Sequence, residues 1–250
     1  MTPAEGRLVR LLGATRASLA GVVAPAECPV CGAESAGEPL CGDCRAEVLG
    51  AAGPACPRCA APVGPWADLA GGCSACRGRP LGFDAATALG PYSGPIRDLC
   101  LRLKHRRDAW LARWLAGLLA EARGDSLRAE AGGDRSALVV PVPLHWRRRL
   151  GRGYNQAEAL ADALALDLGL RAARPIRRIK GTPRLAGLGR AERAGLIRGA
   201  FRARAGTALR GRTVLLVDDI LTTGATCGSA ARALKRAGAA RVVAVVVARA

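Results

Sequence analysis

The chain has 250 residues, 50% hydrophobic and 23% charged, with 38 basic side chains against 20 acidic ones and a formal net charge of +18. Such a balance excludes a wholly disordered or fibrous chain and leaves room for one large domain or two smaller ones. The positive excess favours an anionic partner, phosphates foremost, although only Lys104, Lys180 and Lys235 are lysines, and the arginine, alanine and glycine bias of a GC-rich coding sequence explains part of it.

No apolar run reaches the roughly 18 to 20 residues that span a bilayer, so the expectation is a cytoplasmic protein that is not integral to a membrane. Residues 7–23 come nearest to a signal peptide, but Arg10 and Arg16 interrupt the apolar stretch and Glu5 spoils a basic leader. Residues 1–24 are therefore predicted to form an amphipathic helix.

Eight of the ten cysteines follow in four CxxC pairs: Cys28 and Cys31, Cys41 and Cys44, Cys56 and Cys59, Cys73 and Cys76. A CxxC turn points two thiolates at one ion, and two such turns complete the tetrahedral sulfur shell that zinc accepts. Eight ligands make two structural zinc sites. Residues 28–76 carry as large apolar side chains only Val30, Leu40, Val48, Leu49, Val63, Trp66 and Leu69, too few for a core, and a small module of this kind needs a metal staple. Redox motifs or disulfides fit four near-regular pairs poorly. Spacing alone leaves open whether adjacent pairs share an ion or interleave; sequential ribbons over 25–78 are expected.

Residues 99–105 alternate Leu99, Leu101 and Leu103 as on a half-buried strand or a distorted helical turn, followed by Lys104 and His105. Residues 138–142 read as a buried strand, halted by Pro141 and Pro143. A basic loop with Arg147, Arg148, Arg149 and Arg152 precedes Gly153, Tyr154, Asn155 and Gln156, and a helix is predicted over 157–168. Arginines in a loop after a sheet strand can grip a pyrophosphate bidentately. His105 and His145 read as surface or structural histidines, and Cys100 and Cys227, without sequence partners, as small buried apolar residues.

Residues 171–212 hold 13 basic side chains and a single acidic one, Glu192. This strip suits a polyanion or a charged ligand, and its binding to nucleic acid would be strongly salt-dependent. An aromatic content of 3% argues against an extensive base-stacking platform.

Near the C-terminus, 213–217 is a fully apolar strand ended by Asp218 and Asp219, a helix is predicted over about 225–237, and 242–247 is another buried strand. Apolar runs without alternation indicate a parallel sheet covered on both faces, and ligands bind such sheets beyond the carboxyl ends of the strands. There the turn Thr222, Thr223, Gly224, Ala225, Thr226 offers hydroxyls, a close backbone approach and helix N-terminal amides to a phosphate. Two carboxylates beside it repel a bare phosphate, so they suit sugar hydroxyls or a magnesium ion held at one remove. The combination calls for a phosphorylated sugar.

The stretch VLLVDDILTTGAT, residues 214–226, resembles the phosphoribosyl pyrophosphate (PRPP) signature of type I phosphoribosyltransferases. That resemblance implies that Asp218 and Asp219 contact the ribose hydroxyls and serve the chemistry, that residues 222–226 wrap the 5'-phosphate, and that magnesium accompanies PRPP. A narrower resemblance is to ComF-type competence proteins, which join a zinc module to a phosphoribosyltransferase domain. It is carried by PYSGPIRDLCLRLKHRRD at 91–108, VVPVPLHWRRRLGRGYNQAEALA at 139–161 and GLGRAERAGLIRGAF at 187–201. Lys104 and Arg152, the latter in the RGYN motif, match family positions and are implied phosphate contacts. Leu185 and Leu196 depart from the family's glutamine and asparagine.

The expected architecture is thus an α/β chain: a double zinc ribbon, then a phosphoribosyltransferase-like parallel sheet with helices on both faces over 83–250. The expected ligand is PRPP or a related phosphorylated ribose. The resemblance implies a role in DNA uptake and natural transformation, with single-stranded DNA and DNA-uptake proteins as partners. The alternative is a non-catalytic nucleic-acid-binding protein that uses the transferase fold as a scaffold. No segment identifies an acceptor, which leaves turnover open.

Overall fold

A computed structural model describes residues 27–35, 37–132, 136–181, 195–207 and 209–250. The expected helix over 1–24 and much of the stretch 187–201, with Leu185, lie outside the described residues. The chain divides into two compact units, one ending at Val48 and the other running from Leu49 to the end.

The first unit contains the first two cysteine pairs. Cys28 opens a knuckle in which the Cys28 N–H donates to Ala33 O at 2.7 Å and the Gly32 N–H donates to Cys28 O at 2.9 Å. Gly32 sits at φ 77°, the left-handed region that closes so tight a turn. The second pair lies at the start of helix α1 (Gly42–Gly50), which reaches the boundary between the units.

The second unit repeats the knuckle at its start. The Cys56 N–H donates to Ala61 O at 2.8 Å and the Ala60 N–H donates to Cys56 O at 2.8 Å, with Ala60 at φ 57° in the left-handed region. After it come β1 (Ala85–Pro91), α2 (Gly94–Arg102), α3 (Leu111–Glu130), β2 (Leu138–Pro141), α4 (Trp146–Arg152), α5 (Gln156–Leu168), β3 (Arg171–Ala172), β4 (Ile176–Arg178), β5 (Phe201–Ala203), β6 (Thr213–Leu221), α6 (Ala225–Arg236) and β7 (Arg241–Arg249).

Five strands form one sheet in the order β1-β7-β6-β2-β3, and every pairing in it is parallel. Strands β4 and β5 form a separate antiparallel pair. The expected parallel α/β sheet with helices on both faces is therefore present. Alternate residues explain why its strands read as unbroken apolar runs: Val140, Val214, Leu216, Val242, Ala244 and Val246 face a core shared with Ala230, Ala231 and Leu234 of α6. Val139, Leu215, Val217, Val243 and Val245 are buried on the opposite face, where α5 packs against β2 and β6 and α3 packs against α5.

Three local expectations are revised. Residues 99–105 are neither strand nor distorted turn up to Arg102, because 94–102 form α2, with Leu99 and Leu103 buried one turn apart and Leu101 exposed. The arginine run at 147–152 winds into the short helix α4, closed by Gly153 at φ 72°. Strand β6 does not stop at the aspartates: Asp218, Ile220 and Leu221 stay in register with Val246, Ala248 and Arg249 of β7, which holds the acidic pair in rigid sheet.

Candidate ligand site and metal centres

The eight paired cysteines gather sequentially into two clusters, Cys28, Cys31, Cys41 and Cys44 and then Cys56, Cys59, Cys73 and Cys76, with the sulfurs of each cluster all within 4.8 Å of one another. Sγ atoms stand 3.6 Å apart for Cys31 and Cys41, 3.7 Å for Cys56 and Cys76, and 3.6 Å for Cys59 and Cys73. A tetrahedron of sulfurs about 2.3 Å from zinc has edges of about 3.8 Å. The donor set therefore fits zinc in both clusters.

Backbone amides favour the thiolate at one cysteine of each cluster, while burial pushes Cys44, Cys59 and Cys76 up. Burial opposes ionisation at Cys56, but hydrogen bonds from the Cys73, Arg58 and Cys59 backbone bring its pKa down to about 7. At Cys28 the same competition ends at about 6, with the Cys31, Cys41 and Val30 backbone as donors. All four cysteines of the second cluster belong to the core of the α6 face of the sheet, together with Leu81 and Phe83. This centre is part of the larger unit's interior.

The second site lies at the carboxyl edge of the sheet. Strand β6 leads through α6 to β7 on one side, whereas β2 leads through α5 to β3 on the other. The connections thus diverge between neighbouring strands β6 and β2, the kind of position where open α/β sheets bind ligands.

Asp219 is buried there. Its Oδ1 accepts from the Ile220 N–H at 2.8 Å and its Oδ2 accepts from Gln156 Nε2 at 3.1 Å. The Gln156 amide oxygen in turn accepts from Arg152 Nη1 at 3.2 Å. Asn155 fixes the approach of α5: its side chain caps the helix by accepting from the Ala157 N–H at 3.1 Å and donates to Val142 O at 3.3 Å. The RGYN segment is thereby tied to the acidic pair.

Asp218 Oδ1 accepts from the Asp219 N–H at 3.0 Å, and its Oδ2 lies 4.0 Å from Cys227 Sγ. Burial and the adjacent Asp219 charge push the Asp218 pKa well above the ordinary carboxylate range, against a smaller opposing pull from the Arg178 guanidinium. Cys227 and Cys100 are both buried, as expected, and their thiols are pushed up first by burial and then, at Cys227, by both aspartates and, at Cys100, by Asp219. Lys104, just beyond α2, acts on Cys100 in the opposite sense to Asp219, so lysine and aspartate lie within electrostatic range of one sulfur.

After β6 the chain turns through Thr222, Thr223 and Gly224 into α6. Gly224 is the residue before the helix and sits at φ 79°. A Cβ there would be strained in the left-handed region, and would stand against the Phe83 ring at 3.4 Å. Thr223 Oγ1 accepts from the Ala225 N–H at 3.4 Å. No acidic residue occupies the first turn of α6, so the positive end of its dipole favours an anion. Ala225 and Thr226 form that first turn.

The structure therefore brings Asp218, Asp219 and the 222–226 turn together on one strand and its following helix, and links Arg152 to them through Gln156. Gln156 and Arg178 were not singled out in the sequence. Tyr154 was also missed: its hydroxyl is buried with no hydrogen-bond partner among the described residues, and burial raises its pKa to about 12, with Arg152 opposing and Asp108 and Asp219 adding. The RGYNQ spacing carried the signal, since residues 152, 154 and 156 flank the capped start of a helix.

Among the described residues no helix is long and apolar enough to cross a membrane.

Comparison with known proteins agrees with this construction. A double zinc ribbon domain profile matches residues 19–77 and a phosphoribosyl transferase domain profile matches residues 150–250. Competence protein F of Haemophilus influenzae is 31% identical over 201 residues, covering 80% of this chain and 85% of that one. DNA utilization protein YhgH of Escherichia coli K12 is 30% identical, covering 75% and 80%, and competence protein ComFC of Bacillus subtilis is 27% identical, covering 82% of each. With two four-cysteine clusters, a phosphoribosyltransferase sheet and this kinship over most of its length, the chain belongs to the ComF family of competence proteins.

Proposed function

We propose that the protein binds PRPP with magnesium at the carboxyl edge of β6 and serves the handling of DNA taken up in natural transformation. The observation that carries the ligand reading is the acidic pair held in sheet immediately before the turn at 222–226. Residues Thr222, Thr223, Gly224, Ala225 and Thr226 would take the 5'-phosphate on backbone amides and hydroxyls. Asp218 and Asp219 would accept hydrogen bonds from the ribose hydroxyls, Asp219 being aimed by Gln156. Lys104 and Arg152 would neutralise the pyrophosphate, and the Tyr154 hydroxyl, which has no hydrogen-bond partner among the described residues, would offer it a donor.

Magnesium, when bound, supplies positive charge against the departing pyrophosphate. The protein's own part is electrostatic and positional: a fixed acidic pair for the sugar, fixed amides for the phosphate and arginine or lysine at the leaving group. Calorimetric titration with PRPP and magnesium tests the reading, with saturable heat expected from wild type and none from Asp218→Ala/Asp219→Ala. A screen of PRPP consumption against nucleobases and amines tests turnover.

The DNA reading draws on a separate feature. A cavity of about 270 Å³ is lined by Trp146, Arg149, Arg174, Arg177, Arg178 and Arg204, among others. Trp146 is 57% exposed, with the Arg147 guanidinium 5.2 Å from its ring centroid. A cation-flanked aromatic beside clustered arginines suits a single strand, one base stacked and its phosphates neutralised. Anisotropy titration of a fluorescent oligonucleotide tests this; absence of a complex at low salt would refute it. The names of the relatives, competence and DNA utilization, favour the same role.

A further inference from the structure

The second cysteine cluster and the phosphate turn share a single side chain. Arg249, at the end of β7, donates from Nε to the backbone oxygen of Cys59 at 2.9 Å and from Nη1 to the backbone oxygen of Leu221 at 3.1 Å. Cys59 is one of the four clustered sulfurs, and Leu221 is the last residue before the turn. One guanidinium therefore spans from the cysteine knuckle to the root of the turn, and its planar fork fixes both carbonyls at once.

Packing reinforces this bridge. Cys59, Cys76, Arg249, Thr222, Thr223 and Gly224 line one common cleft, so the knuckle and the turn are direct neighbours. From the segment after the knuckle, Phe83 and Leu81 lie under Gly224, and a Cβ added at Gly228 of α6 would fall 2.0 Å from the Leu81 oxygen. The knuckle is also tied to the sheet by the Ala86 N–H, which donates to Pro57 O at 2.9 Å. Arg58 in turn donates to the Cys76 and Gly71 oxygens, joining the two halves of the cluster.

We propose that Arg249 is a positioning residue that couples the second four-cysteine centre to the 222–226 turn, so that filling this centre with zinc sets how firmly the turn is held for a phosphate monoester. The inference rests on the reading of that turn as a phosphate site, but the coupling itself does not require a ligand to be present. With the metal in place the Cys59 carbonyl has a fixed position, Arg249 is held by it, and the Leu221 carbonyl at the root of the turn, which also accepts from the Ala250 N–H at 3.0 Å, is held by Arg249. When the metal leaves, the knuckle loosens and this restraint is lost.

Amide hydrogen exchange of the full-length protein, with and without chelator, provides the test. Arg249→Met is expected to keep two zinc equivalents by atomic emission while exchange at 222–226 quickens by about tenfold, the scale of a lost hydrogen bond from a charged donor. Arg249→Lys, which can reach one carbonyl but not both, is expected to fall between the two. Chelation should quicken exchange at 222–226 in wild type and add little in Arg249→Met, while the amides of Leu215 and Val245 stay protected throughout. Affinity for magnesium and PRPP should weaken in parallel with the exchange. Wild-type rates at 222–226 in Arg249→Met, or an equal response to chelation in both proteins, would overturn the coupling. Absence of PRPP binding by wild type would refute the ligand reading and leave the exchange comparison to decide this one.

Discussion

Gln156 and Asp219 are 63 residues apart in sequence, yet the Gln156 amide nitrogen donates to Asp219 Oδ2 at 3.1 Å across the point where the sheet's connections diverge. This contact makes the helix after β2 and the strand β6 one site. Replacing Gln156 with leucine would leave the buried carboxylate oxygen without its partner, at a cost of about 1 to 3 kcal/mol. Chemical denaturation should register that loss of stability, and PRPP affinity should fall with it. Unchanged stability and affinity in Gln156→Leu would mean that the contact aims nothing.

Asp218 gives a pH dependence of definite sign. Its pKa in the folded protein is raised, so as pH rises from the ordinary carboxylate value through the raised one, the unfolded chain has already lost a proton that the folded chain still holds. Folding stability contributed at this position is full at low pH and declines through that window. Asp218→Asn should therefore be more stable than wild type at neutral pH, gaining about 2 to 4 °C in Tm for each kcal/mol of repulsion and desolvation removed, while losing PRPP binding. In wild type, magnesium and PRPP should bind more tightly as pH rises and release a proton, read from calorimetry in buffers of different ionisation enthalpy.

The two cysteine clusters should differ in what their loss does. Atomic emission should find two zinc ions per chain, and one after Cys28→Ser/Cys31→Ser. The second cluster lies in the core of the sheet, so Cys56→Ser/Cys59→Ser removes both a metal and buried packing. A loss of several kcal/mol would lower Tm by about 10 °C or more. A folded protein that carries no metal as purified, before any chelator is added, would contradict the zinc assignment.

At the arginine-lined cavity, Trp146→Ala should weaken oligonucleotide binding by about tenfold, in line with stacking worth about 1 to 3 kcal/mol per base. Loss of Arg177 or Arg204 should lower the slope of log affinity against log salt by about one for each phosphate contact removed. Anisotropy titrations over a range of salt measure both, and an unaltered affinity for Trp146→Ala would remove the aromatic from the interface.

Much of this organisation is legible in the sequence because it rests on local patterns. Four CxxC pairs announce metal, and 214–226 spells strand, acidic pair and helix start in thirteen consecutive residues. What escaped depends on tertiary proximity. Gln156 reads as the end of a basic loop before a helix until β2 and β6 are known to be neighbours. Arg178 disappears among the arginines of 171–212, and its electrostatic effect on Asp218 sets it apart. Arg249 follows an unbroken apolar strand and carries no motif; its two carbonyl partners lie 190 and 28 residues away. The strand β6 also outruns its apolar run, because pairing with β7 holds Asp218 and Asp219 in the sheet despite the low strand propensity of aspartate.

The most direct test of the central claim is a crystal of the full-length protein soaked with PRPP and magnesium. The 5'-phosphate should lie on the amides of 222–226 and the ribose hydroxyls on Asp218 and Asp219. A ligand bound elsewhere, or an acidic pair that touches no sugar when the ligand is saturating, would contradict the assignment.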